Sequence, residues 1–421
     1  MSSAEPAAPA PLSRRRAAAV LAGAPLPITA AASPAHAGDQ GTPPATTRWS
    51  RLPDLPANRS RWHPAIPVGA PYWRQLGLAG MAAGVHGDHL LALGGANFPE
   101  PARTANRANT LGKVYWNEVF VLRREPDGGL RWLDTVHQLP DSVAYAGTVS
   151  TPRGLLVIGG EGFPGGPGGS ALATVRRFDT VQLLRYLPER DALERELLPP
   201  LPQPVSYPAT GLVGSTVYVA ADGDCHTLDL TRPHAGWRTL PPWPGPPRTV
   251  AVGAALDGRF LLLSGRSSGP DGWRFHRDGY AWDPGRRRWQ RLPDLPWCVT
   301  AGAALATGPN RLLVVGGDRD LARWNLIQQR TVLRDREPAG SPGWHAQNDV
   351  VTWLHDHHEG FNAELLGYDA RRGRWHHAGW FPGPVPVTTP AVGWDGELFL
   401  VSGEVRPGIR TPAVWRGRPG R

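Results

Sequence analysis

Leu398-Phe399-Leu400-Val401-Ser402-Gly403-Glu404-Val405-Arg406-Pro407-Gly408-Ile409-Arg410 is an apolar run that halts at a small-residue turn and then presents one carboxylate and two guanidiniums. Its first half recurs. Leu90 to Gly95 reads LLALGG, Leu155 to Gly160 LLVIGG, Val217 to Gly223 VYVAADG, Phe260 to Gly265 FLLLSG and Leu312 to Gly317 LLVVGG, so the chain carries six copies. Short Val/Leu-rich runs bounded by glycine read as buried strands. The second half, Glu404 to Arg410, occurs once. The repeated part is architecture, and the part that stands alone is where chemistry is expected.

Working outward, each copy follows a small-residue or apolar run that can pair with it as a hairpin: Gly77 to Val85, Val143 to Ser150, Pro208 to Val213, Val250 to Leu256, Thr300 to Leu305 and Val387 to Trp394. Turns such as Asp257-Gly258 and Asp395-Gly396 join the two. Downstream, several copies have a strand ending in Asp and then a tryptophan. Tyr280 to Asp283 leads to Trp289, Tyr368-Asp369 to Trp375, Leu228-Asp229 to Trp237, and Val119 to Leu122 to Trp132. Four strands, a diglycine after the second and these aromatic markers resemble the Kelch repeat of β-propellers. Such a unit cannot bury both faces of its sheet alone, so copies stack around an axis. The predicted fold is an all-β, six-bladed Kelch-type β-propeller. The last copy lacks a fourth strand, and Arg48-Trp49-Ser50-Arg51-Leu52-Pro53 echoes Trp289 to Pro293, so the N-terminal strand is expected to close the last blade. Two connections stand out by length, Ala96 to Asn117 and Asp318 to Ala363, and long connections of this kind are more often functional than idle.

Composition agrees. The 421 residues include 51 Gly, 46 Pro and 18 Trp, which suits short strands and tight turns, and 41% hydrophobic content supplies a core. Net charge is +9, and Lys113 is the only lysine. The arginines are dispersed with no binding motif or clustered stripe, which argues against nucleic acid and leaves a basic surface suited to an acidic small molecule. Cys225 and Cys298 permit a disulfide but make no framework, and metal-ligand spacing such as C-x-x-C is absent. His355-Asp356-His357-His358-Glu359 lacks the HExxH spacing and is read as solvated or packed in its loop, so no metal site is expected.

Residues 1–37 are predicted to be an export signal. Ser13-Arg14-Arg15-Arg16 precedes the apolar run Ala17 to Ala32, and Ala35-His36-Ala37 offers small residues at a cleavage site. The twin arginines resemble a Tat signal, the prolines at 25 and 27 weaken the run, and a Sec signal or an Ala/Pro-rich leader is the alternative. Residues 38–421 then form a single domain, periplasmic or secreted. No later run reaches the length of a membrane-spanning helix.

In a four-stranded meander, the connection from second to third strand and the crossing to the next blade share a face. That places Asn97, Glu161, Asp318, Glu404 and Arg410 together, with Arg248 and Trp297 from the crossings, at the mouth of a ring, where small-ligand sites form. Ser402 to Thr411 resembles the Gly-Glu-x-Lys/Arg-Pro-Gly-x-Arg-Thr motif of the N-acetylneuraminate epimerases, the sialic acid mutarotases. Leu78-Ala79-Gly80 with Ala83-Gly84-Val85 and Gly94 to Phe98 resembles another segment of that family, in the order of its cyclically permuted branch. Pro247-Arg248 and the long insertion before Leu365 to Asp369 fit as well. The resemblance implies interconversion of the α and β anomers of N-acetylneuraminate or a similar acidic sugar. It makes Glu404 the proton acceptor and places Arg410 in the site, with no cofactor.

Ring opening asks for the same parts, a base for the anomeric hydroxyl and a donor for the ring oxygen. Nearby arginines would keep the glutamate ionised, and Arg248 or Arg406 is the expected clamp on a substrate carboxylate. Asn97 and Lys113 complete the expected substrate contacts. Each has a plainer role: Glu404 tying down its turn, Arg410 bridging blades, Asn97 as a turn residue and Lys113 solvated. The competing class is a secreted Kelch module that binds glycan or protein without turnover. A copper-radical oxidase is set aside because neither cysteine stands beside a ligand cluster.

Overall fold

The computed structural model describes residues 47–62, 76–99, 112–170, 172–269 and 272–420. All lie in the second of two compact units, Pro44–Arg421. The expected export signal and the middle of the first long connection lie outside the described residues.

Among the described residues the protein is all-β apart from one helical insertion and a single turn of 3-10 helix, with its sheets in a β-propeller arrangement. Five sheets have four strands each. The copy beginning near Gly77 departs from the expected pattern: its meander, Ala79–His86, His89–Asn97, Glu118–Arg124 and Leu130–Trp132, belongs to a seven-stranded sheet. The cause is local. Val114–Tyr115, at the end of the long connection, adds to Ala96 and Asn97, and Gly168–Gly169 from the next copy adds to Val114–Tyr115. The structure thus has five plain four-stranded blades where the sequence predicted six equal ones.

Strand β1 (Arg48–Leu52) pairs antiparallel with Val414–Arg418, from Arg48 opposite Arg418 to Leu52 opposite Val414. The first described strand therefore completes the last sheet, and Pro53 explains a sequence marker. Its carbonyl accepts the Trp132 indole N–H at 3.2 Å. The same link joins Trp237 to Pro199 (2.8 Å), Trp289 to Pro241 (2.7 Å) and Trp375 to Pro293 (2.9 Å). Each tryptophan fastens its sheet to the proline that ends the sheet before it.

A second set of links surrounds the axis. One residue with positive φ heads each innermost strand: Gly80 (68°), Tyr145 (57°), Tyr207 (56°), Val250 (49°), Ala301 (60°) and Thr388 (52°). Backbone bonds run from Tyr145 N to Gly80 O (2.7 Å), Tyr207 N to Tyr145 O (2.8 Å), Ala301 N to Val250 O (2.9 Å), Thr388 N to Ala301 O (2.9 Å) and Gly80 N to Thr388 O (2.7 Å). Left-handed backbone at β-branched Val250 and Thr388 is unfavourable, and it persists because the neighbouring strands fix both sides of the peptide. Behind this belt the small residues of the inner strands line an axial cavity of about 380 Å³.

The Ser-Gly copies, which depart from diglycine in sequence, keep the backbone and add a staple. Ser264 and Ser402 have φ of 55° and 60°. The Ser264 hydroxyl accepts from Val299 N at 2.8 Å, and that of Ser402 accepts from Leu78 N at 2.7 Å, each in the following sheet.

The second long connection is a helical hairpin. Helix α1 (Leu321–Asp335) is capped by Asp320, which accepts from Arg323 N, and α2 (Pro342–Asp356) by Ser341, which accepts from Trp344 N. Ile327, Val351 and Leu354 form the seam between them.

Candidate functional site

The unrepeated stretch folds as a short hairpin in which Glu404 stands opposite Arg410. Its root is fixed by reciprocal bonds between Glu404 and Val387, 3.0 and 2.8 Å. At Gly403 φ is 122°, and a Cβ there would lie 2.8 Å from both Pro386 Cβ and the Val387 carbonyl, so only glycine brings the glutamate this close to the belt. Gly408 N donates to Glu404 Oε1, which sets one carboxylate oxygen. Arg410 Nη1 lies 3.6 Å from the same oxygen, and the two side chains are 5% and 18% exposed. Among the described residues Arg410 Nε and Nη1 find no hydrogen-bond acceptor, and the guanidinium rests 4.7 Å over the Phe98 ring. Burial alone would lower the Arg410 pKa, but Glu404 and Tyr145 outweigh it and hold the group firmly charged.

Three tyrosines adjoin this pair. Lys113 Nζ donates to the Tyr145 hydroxyl at 3.3 Å and lies 4.8 Å and 5.2 Å from the Tyr145 and Tyr115 rings. Tyr115 donates to Glu161 Oε1 at 2.8 Å, and Tyr145 stacks on Tyr207 with centroids 4.2 Å apart. Burial first, and then the Glu161 carboxylate, push Tyr115 far above the ordinary phenol range. Tyr207 is raised by burial, by Tyr145 and by Glu161. Tyr115 and Tyr207 are thus hydrogen-bond donors at neutral pH. Tyr145 and Tyr207 also line the axial cavity, so they join it to the charged cluster at its mouth.

The other expected contacts are distributed differently. Asn97 is buried and spent internally, its amide donating to Gly77 O at 3.1 Å and its oxygen accepting the Trp116 indole N–H at 2.9 Å. Arg406 is exposed at the hairpin tip, opposite Ile409. Arg248, an expected clamp, is buried and paired with an internal carboxylate. Its side chain is 0% exposed and forks onto Asp278 at 2.8 and 2.9 Å, with further bonds to Ser264 O and Pro246 O. Cys225 and Cys298 are both free and buried. His358, from the His-rich run, is buried 3.9 Å from Asp318.

The Arg248–Asp278 pair yields a stability prediction. Burial opposes ionisation of Asp278, but Arg248 and the Tyr280 hydroxyl overcome it and bring its pKa to about 2. A depressed acid stabilises the fold above its unfolded value and loses that contribution as pH falls through the folded one. Asp278→Asn should therefore lower stability at pH 7 by about 3 kcal/mol, because Arg248 is left buried and unpaired. It should also flatten the loss of stability between about pH 4 and 2. Urea melts at pH 7 and pH 3 test both.

The model of the N-acetylneuraminate epimerases matches residues 198–421, just over half the chain. The chain belongs to the N-acetylneuraminate epimerase family. N-acetylneuraminate epimerase of Haemophilus influenzae is 27% identical over 226 residues, 52% of this chain and 59% of that protein. Its counterpart in Yersinia enterocolitica is 28% identical over 244 residues, 53% and 58% of the two chains. The solved structure of YjhT covers 53% of this chain and 68% of its own at 22% identity and a TM-score of 0.44, a similarity that carries no detail of the fold. The aligned portion spans somewhat under two thirds of the curated relatives.

Within this N-acetylneuraminate epimerase family member, the matched half holds Glu404, Arg410 and one residue that motif reading missed, Arg266. Motif reading missed Tyr115, Tyr145 and Tyr207 too, and of these only Tyr207 lies in the matched residues. Their signal lies in register: Tyr145 and Tyr207 occupy the belt position that Gly80, Val250, Ala301 and Thr388 occupy elsewhere. Arg266 follows Ser264-Gly265 as Glu404 follows Ser402-Gly403.

Proposed function

We propose that this protein is a sialic acid mutarotase that interconverts the α and β anomers of N-acetylneuraminate or a similar acidic sugar. The observation that carries this reading is the pairing of Glu404 with Arg410 in a hairpin whose sequence occurs once among the repeats. Glu404 takes the proton of the anomeric hydroxyl. The bond from anomeric carbon to ring oxygen breaks, and that oxygen takes a proton from a neighbouring donor. The open ketone rotates and closes on its other face. Tyr145, bonded to Lys113 and beside Arg410, is the donor this arrangement favours, because a nearby cation stabilises the phenolate formed in passing. Each step moves a proton and breaks or makes one C–O bond, so a base and an acid suffice.

The same reading counts the meander from Ala79 to Trp132 as a sixth blade, supported by the six belt residues and by the Trp132–Pro53 link. It includes an export signal over residues 1–37, supported by the arginines at 14–16 ahead of an apolar run, and a periplasmic or secreted single domain from residue 38.

Exchange NMR on N-acetylneuraminate tests the activity. Anomer exchange should be accelerated at least tenfold over buffer at micromolar protein, and rates equal to buffer would overturn the reading.

A further inference from the structure

An acidic sugar brings a carboxylate into a site that already holds Glu404, and a cation that does not already face that glutamate is the better receiver. Arg410 faces Glu404, Arg248 is spent on Asp278, Arg406 stands at the exposed tip and Lys113 serves the tyrosines. Arg266 remains. It bridges to Thr249 as Asp318 bridges to Thr300 and Glu404 to Val387, so the three residues occupy one register position in three successive sheets. Asp318 is occupied: Trp324 Nε1 donates to its Oδ2, and Asp320 N to its Oδ1 at 2.9 Å. Among the described residues Arg266 makes no ion pair, and its buried Nε has no acceptor.

The helical insertion holds this arginine. The Arg266 guanidinium lies 4.2 Å from the Trp273 ring and 5.5 Å from that of Trp324 on α1. Trp273 sits on the strand Gly272–Phe275, which pairs with Arg266–Gly269. Asn325 of α1 accepts from Trp273 N at 2.8 Å, and Gly272, at φ 110°, leaves room for it, since a Cβ there would lie 2.8 Å from Asn325 Oδ1. Two indoles flanking a guanidinium restrict its rotation and strip it of water while leaving the planar fork free for two parallel bonds to a carboxylate. Burial lowers the Arg266 pKa against the opposing charges of Asp318 and Glu404, so the group senses the reaction site and gains from an added anion.

We propose that Arg266, caged by Trp273 and by Trp324 of the helical insertion, binds the substrate carboxylate and makes the site specific for anionic over neutral sugars. The proposal rests on the acidic-sugar reading above, and its test separates the two. The probes are N-acetylneuraminate and its methyl ester, which differ in the charge of that group and in one added methyl. In exchange NMR, Arg266→Gln should raise KM for the acid about 10- to 100-fold with a small change in kcat, and the loss on the acid should exceed the loss on the ester at least tenfold. Arg266→Lys, which keeps charge without the fork, should fall between, and Asn325→Ala should raise KM for the acid alone.

Calorimetric binding of acid and ester to Glu404→Gln and to Glu404→Gln/Arg266→Gln reads the same preference without turnover. Equal losses on acid and ester, or no loss, overturn the role of Arg266. Preference for the acid that disappears with Arg266 in a wild type without turnover upholds the role and removes the mutarotase reading. No binding of either probe overturns both.

Discussion

Glu404→Gln is expected to slow protein-driven anomer exchange by about 10²- to 10⁴-fold, the range that a positioned general base contributes. The substitution is chosen because it separates chemistry from architecture. A glutamine oxygen still accepts the bond from Gly408 N that ties the hairpin, and the reciprocal backbone bonds to Val387 are untouched. What disappears is the ability to take a proton, together with the charge that faces Arg410. The melting temperature should fall by several degrees, since Arg410, only 5% exposed, is left without its counter-ion at a cost of about 3 kcal/mol, while the fold should persist. If Glu404 merely fastened its turn, the glutamine variant would keep the wild-type rate. Exchange spectroscopy at several protein concentrations decides this, because the catalysed term scales with protein and the buffer term does not.

The contrast between Glu404 and Arg248 shows what a sequence displays and what it hides. Glu404 was legible because it sits in a stretch that breaks a repeat and matches a family motif, both of which are one-dimensional properties. Arg248 looked equally suitable by position, yet its partner Asp278 is 30 residues away and meets it only once the sheet has formed. Tyr145, Tyr207 and Arg266 failed to register for a related reason: each is ordinary in its own copy and informative only when copies are aligned residue by residue. That alignment was available, since the Ser-Gly-Arg of one copy and the Ser-Gly-Glu of another occupy the same bridge to the belt. The helical hairpin carried its own signals, Asp320 and Ser341-Pro342 at the two helix starts, but the connection stood out in the sequence by its length alone.

Removing residues 1–52 is expected to give the largest loss of stability, and the reason is where β1 lies. Its five residues pair with Val414–Arg418, Trp49 packs edge-on against Phe381 at 4.7 Å, and the chain beyond it hands Pro53 O to Trp132 in the first sheet. Leu55 N then bonds Pro412 O at 2.9 Å, and the backbone at Arg59 and Ser60, with the Asn58 amide, surrounds the buried Glu118 carboxylate. One short segment therefore joins the last sheet to the first. Losing the ladder bonds at about 1 kcal/mol each, with the aromatic contact, costs roughly 4 to 6 kcal/mol. At about 2–4 °C per kcal/mol in a domain of this scale, the melting temperature should fall by about 10 °C or more. The opened edge of Val414–Arg418 should also promote association. Calorimetry and light scattering test both, and a truncated protein that melts with the wild type would show that β1 does not close the ring. Activity should fall as well, because Ala413 and Val414 continue directly from the hairpin that holds Glu404 and Arg410, and Ser402 N reaches back to Ala413 O at 2.9 Å. The strand that closes the ring is thereby a support for the base: when its pairing frays, the turn that presents Glu404 loses its anchor.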